Sequence, residues 1–242
     1  MDKPSVESLI EDLVAANRIL AAHGVVDGYG HVSVRSPERG DRYLLSRSIA
    51  PESVTAADIV EYDLDSDPAR GDGRDGYLER FIHGEIYRTR ADVHAVVHSH
   101  TPAVIPFGVV TVPLKPLFHM SSFIGEGVPV FEIRDTAGDA TNMLIRDRPL
   151  GGALARCLDC SPAALMRGHG AVVVGADLPI AVGRSVYMEL NARMQAQVST
   201  LTGGAGHANF LSAGEIASCG KLQDYRRCWD MWRTKALEEM RA

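Results

Sequence analysis

The 242-residue sequence lacks any long apolar segment and any excess of basic residues. Its longest apolar runs, such as residues 128–131 and 171–174, are far shorter than the roughly 20 residues that a membrane-spanning helix needs. Twenty-five lysines and arginines stand against 31 acidic residues, which gives a net charge of -6. A membrane or a nucleic acid is therefore a poor candidate partner, and we expect a small molecule instead.

An export signal is also missing from the start of the sequence. Residues 1–5 lead into a segment with acidic residues rather than into a basic segment followed by a long apolar run. We therefore expect a cytoplasmic protein.

Cysteine is scarce, with four residues in the chain. Cys157 and Cys160 have the spacing of a redox or zinc pair, but a four-thiolate zinc site needs a second close pair. Cys219 and Cys228 are nine positions apart, which is too far for that role. We interpret all four as reduced structural thiols, as is usual in a cytosolic protein.

The hydrophobic content of 45% is enough to bury one sizeable core, and we interpret residues 1–242 as a single domain. Apolar spacing and turn-forming residues predict helices over 5–22, 77–88, 137–145, up to 160, 178–201 and within 212–241. The same patterns predict a hairpin of strands 31–35 and 43–46, and further strands over 94–100, 128–133 and 164–174. This mixture favours an α/β sandwich with a central mixed or antiparallel sheet.

The strongest chemical signal is a pair of histidines near the end of the predicted strand 94–100. His98 and His100 are two residues apart, so a strand would project both imidazoles from the same face. Neutral imidazole suits zinc, manganese or iron, and a catalytic ion needs about three protein ligands and an open position. A lone histidine more often packs or forms a hydrogen bond, but this spacing favours a metal site.

His169 is the best candidate for the third ligand. It lies between Gly168 and Gly170, directly before the apolar run 171–174, and glycine allows a close approach of the backbone. Glu79 is placed near the start of the predicted helix 77–88, where a carboxylate is electrostatically favoured. By its position alone, Glu79 would be interpreted as an exposed helical residue.

Four segments, taken in order, resemble the class II aldolase and adducin family: residues 30–35 (GHVSVR), Glu79, residues 95–100 (AVVHSH) and residues 167–170 (RGHG). The resemblance covers roughly residues 10–201. It implies a three-layer α/β/α sandwich around a mixed, largely antiparallel sheet, and a homotetramer with active sites between subunits. It also implies one divalent metal ion per subunit, Mn²⁺ or Zn²⁺ with Fe²⁺ or Co²⁺ as further options. The implied ligands are His98, His100 and His169, with Glu79 as the acid/base.

Departures from the aldolase pattern bear on the substrate. His31 stands where the phosphate-binding aldolases have asparagine, and Tyr77 and Leu78 replace two serine hydroxyls that would hold a phosphate. Arg47 offers a planar fork of donors that suits a carboxylate. The resemblance therefore disfavours a phosphorylated sugar, and we expect substrate contacts from His31, Ser46, Arg47, Ser48 and Tyr77.

His119 occupies the place of a tyrosine that the aldolases extend into the neighbouring subunit's site, and an imidazole there can donate or accept a proton. Residues 78–85 and 116–123 look similar to the family's decarboxylases. These enzymes act on ortho-hydroxylated aromatic or pyridine dicarboxylates, such as 3,4-dihydroxyphthalate and 3-hydroxy-2-methylpyridine-4,5-dicarboxylate.

The resemblance thus implies a metal-dependent, non-oxidative decarboxylase that works through a metal-stabilised, enolate-like intermediate, with Glu79 and His119 as catalytic residues. Two alternatives remain open. One is a class II aldolase acting on an unphosphorylated hydroxy-keto acid, and the other is an adducin-like binding module without catalysis.

Overall fold

The computed structural model describes residues 5–69, 73–201, 203, 208–221 and 223–240. Its strands are β1 (His31–Arg35), β2 (Arg42–Ser46), β3 (Ile59–Asp63), β4 (Ala95–Ser99), β5 (Val130–Phe131), β6 (Ala163–Met166) and β7 (Gly170–Gly175). They form one seven-stranded sheet in the order β3-β2-β1-β4-β7-β6-β5. All neighbours pair antiparallel except β5 and β6, which are parallel. The predicted mixed, largely antiparallel sheet is confirmed.

The α-helices in the described part of the chain are α1 (Val6–Ala22), α2 (Phe81–Thr89), α3 (Arg134–Ala137), α4 (Arg148–Leu158), α5 (Leu178–Leu201), α6 (Ala213–Gly220) and α7 (Arg226–Glu239). The hydroxyl of Ser5 caps α1 by accepting a hydrogen bond from the backbone N–H of Ser8. The long helix predicted over 178–201 matches α5, and the predicted C-terminal helix is divided into α6 and α7. Among the described residues, no helix has both the length and the apolar character that a bilayer crossing requires.

The sheet has helices on both faces. On one face, α1 and α5 pack against valines that include Val32, Val34 and Val97, and α7 packs on α1 and α5. On the other face, α2 and α4 pack against a second apolar cluster that includes Tyr43 and Val96. Because alternate strand residues point to opposite faces, β2, β4, β6 and β7 each contribute buried residues to both clusters. The predicted three-layer α/β/α sandwich is therefore confirmed.

The helix predicted over 137–145 is wrong. The chain forms only the short α3 before Gly138, whose φ of 77° stops the helix, and Met143 also has a left-handed φ of 70°. The backbone of this segment is used elsewhere, because the N–H of Ile145 binds Glu79 and the carbonyl of Met143 binds His169. Backbone groups that bind side chains in this way cannot also complete the hydrogen bonds of a helix.

The start of the helix predicted over 77–88 also needs correction. Helix α2 begins at Phe81, and residues 78–80 form a turn before it. Glu79 therefore precedes the helix instead of lying in its first turn. The strand predicted over 128–133 is shorter than expected, since only Val130 and Phe131 pair with β6.

Candidate metal centre

The three histidines lie at the same end of two paired strands: His98 is in β4, His100 directly follows β4 and His169 directly precedes β7. The antiparallel register places Ser99 opposite Ala171. His100 is one residue after Ser99 and His169 is two residues before Ala171, so both extend beyond the same end of the ladder. The strands approach closely here: a Cβ on Gly170 would lie only 1.9 Å from the carbonyl oxygen of Ser99. Glycine at position 170 is thus required for the close approach that brings the histidines together.

The structure brings together the Nε2 atoms of all three histidines. Nε2 of His100 lies 3.2 Å from Nε2 of His98 and 2.9 Å from Nε2 of His169. A carboxylate oxygen of Glu79 lies 3.4 Å from Nε2 of His98 and 3.4 Å from Nε2 of His169. One potential ligand atom from each of these four residues lies within 4.8 Å of all the others.

The opposite ring nitrogens of two of these histidines bind the backbone. Nδ1 of His98 donates to the carbonyl of Ala171 at 3.2 Å, and Nδ1 of His169 donates to the carbonyl of Met143 at 3.0 Å. These bonds place the proton on Nδ1, so both Nε2 atoms are free to offer a lone pair to an ion. Burial, followed by the repulsion that a protonated His98 or His169 would exert, lowers the pKa of His100 to about 4, so the His100 imidazole is neutral at neutral pH.

Glu79 is nearly buried, with 7% of its surface exposed, and one of its carboxylate oxygens accepts a hydrogen bond from the N–H of Ile145 at 2.9 Å. Burial by itself would raise the pKa of Glu79. When His98 and His169 are protonated, the charge of His98 and hydrogen bonds from His169 and His98 outweigh burial and lower that pKa below its ordinary range. Glu79 is therefore an anion at neutral pH. Three neutral nitrogen donors and one carboxylate fit a divalent cation.

The residues expected to bind substrate extend from this cluster toward β2. His31 pairs with His98 in the β1–β4 register, and their rings are 5.1 Å apart between centroids. The ring of Tyr77 lies 4.5 Å from that of His31, and its hydroxyl is 3.1 Å from the hydroxyl of Ser46. Nε of Arg47 donates to Asp58 at 2.6 Å, which fixes the guanidinium. Ser48 is exposed next to it.

His119 is not brought to the cluster within one chain. It is exposed at the start of the 3₁₀ helix His119–Ile124, and it lines a cavity of about 430 Å³ with Tyr187, Cys219 and Cys228. None of the four clustered residues lines that cavity. A catalytic role for His119 would need a neighbouring copy of the chain.

A series of hydrogen-bonded, buried polar side chains lies behind His31 and was not predicted from the sequence. Nδ1 of His31 is 2.6 Å from Nε2 of His83, and Nδ1 of His83 is 2.6 Å from the hydroxyl of Ser33, which is 2.8 Å from the hydroxyl of Tyr87. Burial, followed by the charge of His98, lowers the pKa of His83 to about 3. One signal was available in the sequence: His83 and Tyr87 are four apart on a helix, and His31 and Ser33 are two apart on a strand.

The cysteine pair forms no comparable site. All four cysteines are free; Cys157 is half-buried, and Cys160 is exposed. Burial raises the pKa of the Cys157 thiol, which makes it less reactive. Within the described residues, Glu79 and the three histidines form the only group of three or more side chains with metal-ligand geometry.

A comparison of the sequence with known protein families gives one match that includes all four residues of the cluster. Residues 11–196 match the Class II Aldolase and Adducin N-terminal domain. The chain belongs to this family. Members of the class II aldolase family typically depend on a divalent metal, and the Glu79 and histidine cluster is a site that can hold one.

Two curated members of the family are similar over nearly the whole chain. Decarboxylase tropJ from Talaromyces stipitatus is 36% identical, over 92% of this chain and 92% of its own. The 3,4-dihydroxyphthalate decarboxylase from Arthrobacter keyseri is 31% identical, over 90% of each chain. The solved structure of L-fuculose 1-phosphate aldolase from Glaciozyma antarctica shares the fold, with a TM-score of 0.75 and 24% identity over 98% of this chain and 92% of its own. These similarities support an enzyme.

Proposed function

We propose that this protein is a metal-dependent, non-oxidative decarboxylase of an ortho-hydroxylated aromatic or pyridine dicarboxylate, such as 3,4-dihydroxyphthalate. The observation that carries the proposal is the cluster of Glu79, His98, His100 and His169. It occurs in a chain that is similar, over nine-tenths of its length, to two proteins named as decarboxylases.

The three histidines would hold the ion by their Nε2 atoms. A divalent ion at this position supplies positive charge that stabilises the negative oxygens of a substrate hydroxyl and carboxylate. Mn²⁺ and Zn²⁺ are the ions that we propose first, with Fe²⁺ and Co²⁺ as alternatives, because three neutral imidazoles with open positions for substrate oxygens are compatible with all four.

Glu79 would transfer a proton from the substrate hydroxyl to the substrate ring. Because it is an anion, it first accepts the proton of the substrate hydroxyl and then delivers it to the ring carbon that carries the leaving carboxylate. The bond from that carbon to the carboxylate then breaks, its electron pair restores the aromatic ring, and carbon dioxide leaves. His119 from a neighbouring subunit is the second candidate for the proton donor.

Arg47 would bind the second carboxylate of the substrate, with His31, Ser46, Ser48 and Tyr77 as further contacts. The ring of His31 lies between Tyr77 and the ligand His98, so this group of residues is continuous with the metal cluster. The two serine hydroxyls that would bind a phosphate are replaced by Tyr77 and Leu78. A carboxylated ring suits this lining better than a phosphorylated sugar.

Product analysis with the purified full-length protein tests the proposal. The protein is loaded separately with Mn²⁺, Zn²⁺, Fe²⁺ or Co²⁺ and incubated with hydroxylated phthalates and pyridine dicarboxylates. We expect one bound ion per chain and release of carbon dioxide. An aldehyde released from an unphosphorylated hydroxy-keto acid would instead indicate an aldolase, and absence of a bound ion and of turnover would indicate a binding module.

We also propose a homotetramer with active sites between subunits, because His119 lies outside the cluster of its own chain. Coexpression of Glu79→Gln and His119→Gln chains tests this arrangement. If His119 acts in the neighbouring site, mixed oligomers contain some sites with both native residues, and activity returns although each variant alone is impaired. If no activity returns in mixed oligomers, His119 has no such role.

A further inference from the structure

The buried polar chain behind His31 joins one strand to one helix. His31 and Ser33 lie two residues apart on β1, and His83 and Tyr87 lie four residues apart on α2, so the two pairs face each other. None of the four side chains is more than 4% exposed. Contacts of 2.6 to 2.8 Å between buried side chains hold each ring in one orientation.

Tyr87 determines which group donates and which accepts in each of these hydrogen bonds. Its hydroxyl can donate to the hydroxyl of Ser33 at 2.8 Å or to the carbonyl of His94 at 3.5 Å, and the longer contact is much the weaker. When Tyr87 donates to Ser33, the hydroxyl hydrogen of Ser33 is directed to Nδ1 of His83 at 2.6 Å.

The proton positions of the two histidines follow from that direction. A neutral imidazole has one N–H, so His83, which accepts at Nδ1, carries its proton on Nε2 and donates it to Nδ1 of His31. His31 must then carry its own proton on Nε2. Within the described residues this Nε2 has no hydrogen-bond partner, and it is not among the buried polar atoms closed off from solvent.

We propose that His83, Ser33 and Tyr87 are positioning residues that hold His31 as an Nε2–H donor toward an anionic oxygen of the substrate. This inference builds on the proposed function, since a carboxylate or a phenolate is the oxygen that needs a donor. The opposite tautomer would present a lone pair instead. With its ring 5.1 Å from that of His98, His31 would then repel the substrate oxygen and compete for the ion.

The tautomer of His31 can be measured without substrate or metal. Long-range ¹H–¹⁵N correlation spectra of the full chain labelled with ¹⁵N-histidine distinguish the Nε2–H form from the Nδ1–H form, and His31→Gln identifies the signals of His31. We expect the Nε2–H form in the native chain. A dominant Nδ1–H form would overturn the proposal.

Two buried tyrosines provide a matched pair of variants. Tyr87→Phe removes the hydroxyl that sets the direction of the chain. Tyr43→Phe removes the hydroxyl of a tyrosine whose ring is 5.4 Å away and which binds Ser66 and the carbonyl of Arg80 instead. We expect Tyr87→Phe to weaken the preference for the Nε2–H form of His31 by about fivefold, the usual effect of one hydrogen bond, and Tyr43→Phe to leave it unchanged. An equal response of both variants, or no response of either, would contradict the role of Tyr87.

Kinetics with a confirmed substrate separate this inference from the proposed function. Because the donor binds an oxygen already present in the substrate, Tyr87→Phe should raise KM by about fivefold and change kcat by less than about twofold. A fall in kcat with unchanged KM would contradict substrate binding by His31. If the native chain shows the Nε2–H tautomer but releases no carbon dioxide from any tested acid, the proposed function fails while the hydrogen-bond chain stands.

Discussion

The two faces of strands β1 and β4 have opposite chemistry. On one face, Val32, Val34 and Val97 pack in the apolar cluster beneath α1 and α5. On the other, His31 and Ser33 form hydrogen bonds and His98 reaches the candidate metal centre, while Val96 joins the second apolar cluster. A step of one residue along either strand exchanges one face for the other. On these strands the residues that stabilise the fold and the residues that serve the site are therefore different, so substitutions on the two faces should have separable effects.

Removal of a ligand on the polar face should have the largest effect. We expect His98→Ala to abolish stoichiometric metal binding and to lower turnover by about 10³-fold or more, because an ion that stabilises transition-state charge contributes several kcal/mol. Metal analysis and steady-state kinetics measure both effects. His94→Ala is the control, since this exposed histidine precedes the same strand at its other end. Full metal content in His98→Ala would exclude His98 as a ligand.

Glu79 lies in the turn before α2 and meets the polar face at His98, so it tests whether a residue of the cluster can serve chemistry without holding the ion. We expect Glu79→Gln to retain metal and to lower turnover by roughly 10²-fold, the scale of a positioned acid/base. Glu85→Gln is a matched control, because Glu85 is equally buried at 7% exposure but pairs with Arg88 and Arg148. Loss of metal from Glu79→Gln would identify Glu79 as a ligand, and unchanged turnover would remove it from the mechanism.

A substitution on the apolar face should change the stability of the fold and leave metal binding intact. Val97 is fully buried, and we expect Val97→Ala to lower the free energy of unfolding by roughly 2 kcal/mol, through lost burial and the cavity that remains. Chemical denaturation measures this change, and the folded variant should still bind one ion per chain. A variant that keeps its stability but loses metal would show that the two faces are not separable.

The smallest effect is expected at Arg47, which directly follows β2 and is one of the residues proposed to bind substrate. Arg47→Met should raise KM about tenfold for a dicarboxylate and much less for its monocarboxylate analogue, because only the dicarboxylate loses a charge-assisted bond. Arg39→Met removes an exposed arginine that pairs with Asp41 and serves as the control. Equal changes in KM for both substrates would exclude the role of Arg47.

Local sequence patterns predicted most of the fold. The β-rich run of β1, the mostly apolar run of β4 and the helical spacing of α1 are short-range properties, so a single sequence reveals them. The segment 137–145 was misread as a helix because its composition is compatible with one. Its backbone instead binds two distant side chains. Ile145 binds Glu79, which is 66 residues away, and Met143 binds His169, which is 26 residues away.

By itself the sequence determined that His98 and His100 share one side of a strand, since a strand projects alternate residues to the same side, and it determined where most strands and helices lie. Only the tertiary structure decided that His169 and Glu79 join the two histidines, because that meeting depends on the β4–β7 register and on the turn before α2. It alone also placed His83 and Tyr87 against His31 and Ser33. Hydrogen bonds across 50 to 54 positions of sequence depend on how α2 packs on the sheet, and no local pattern specifies that packing.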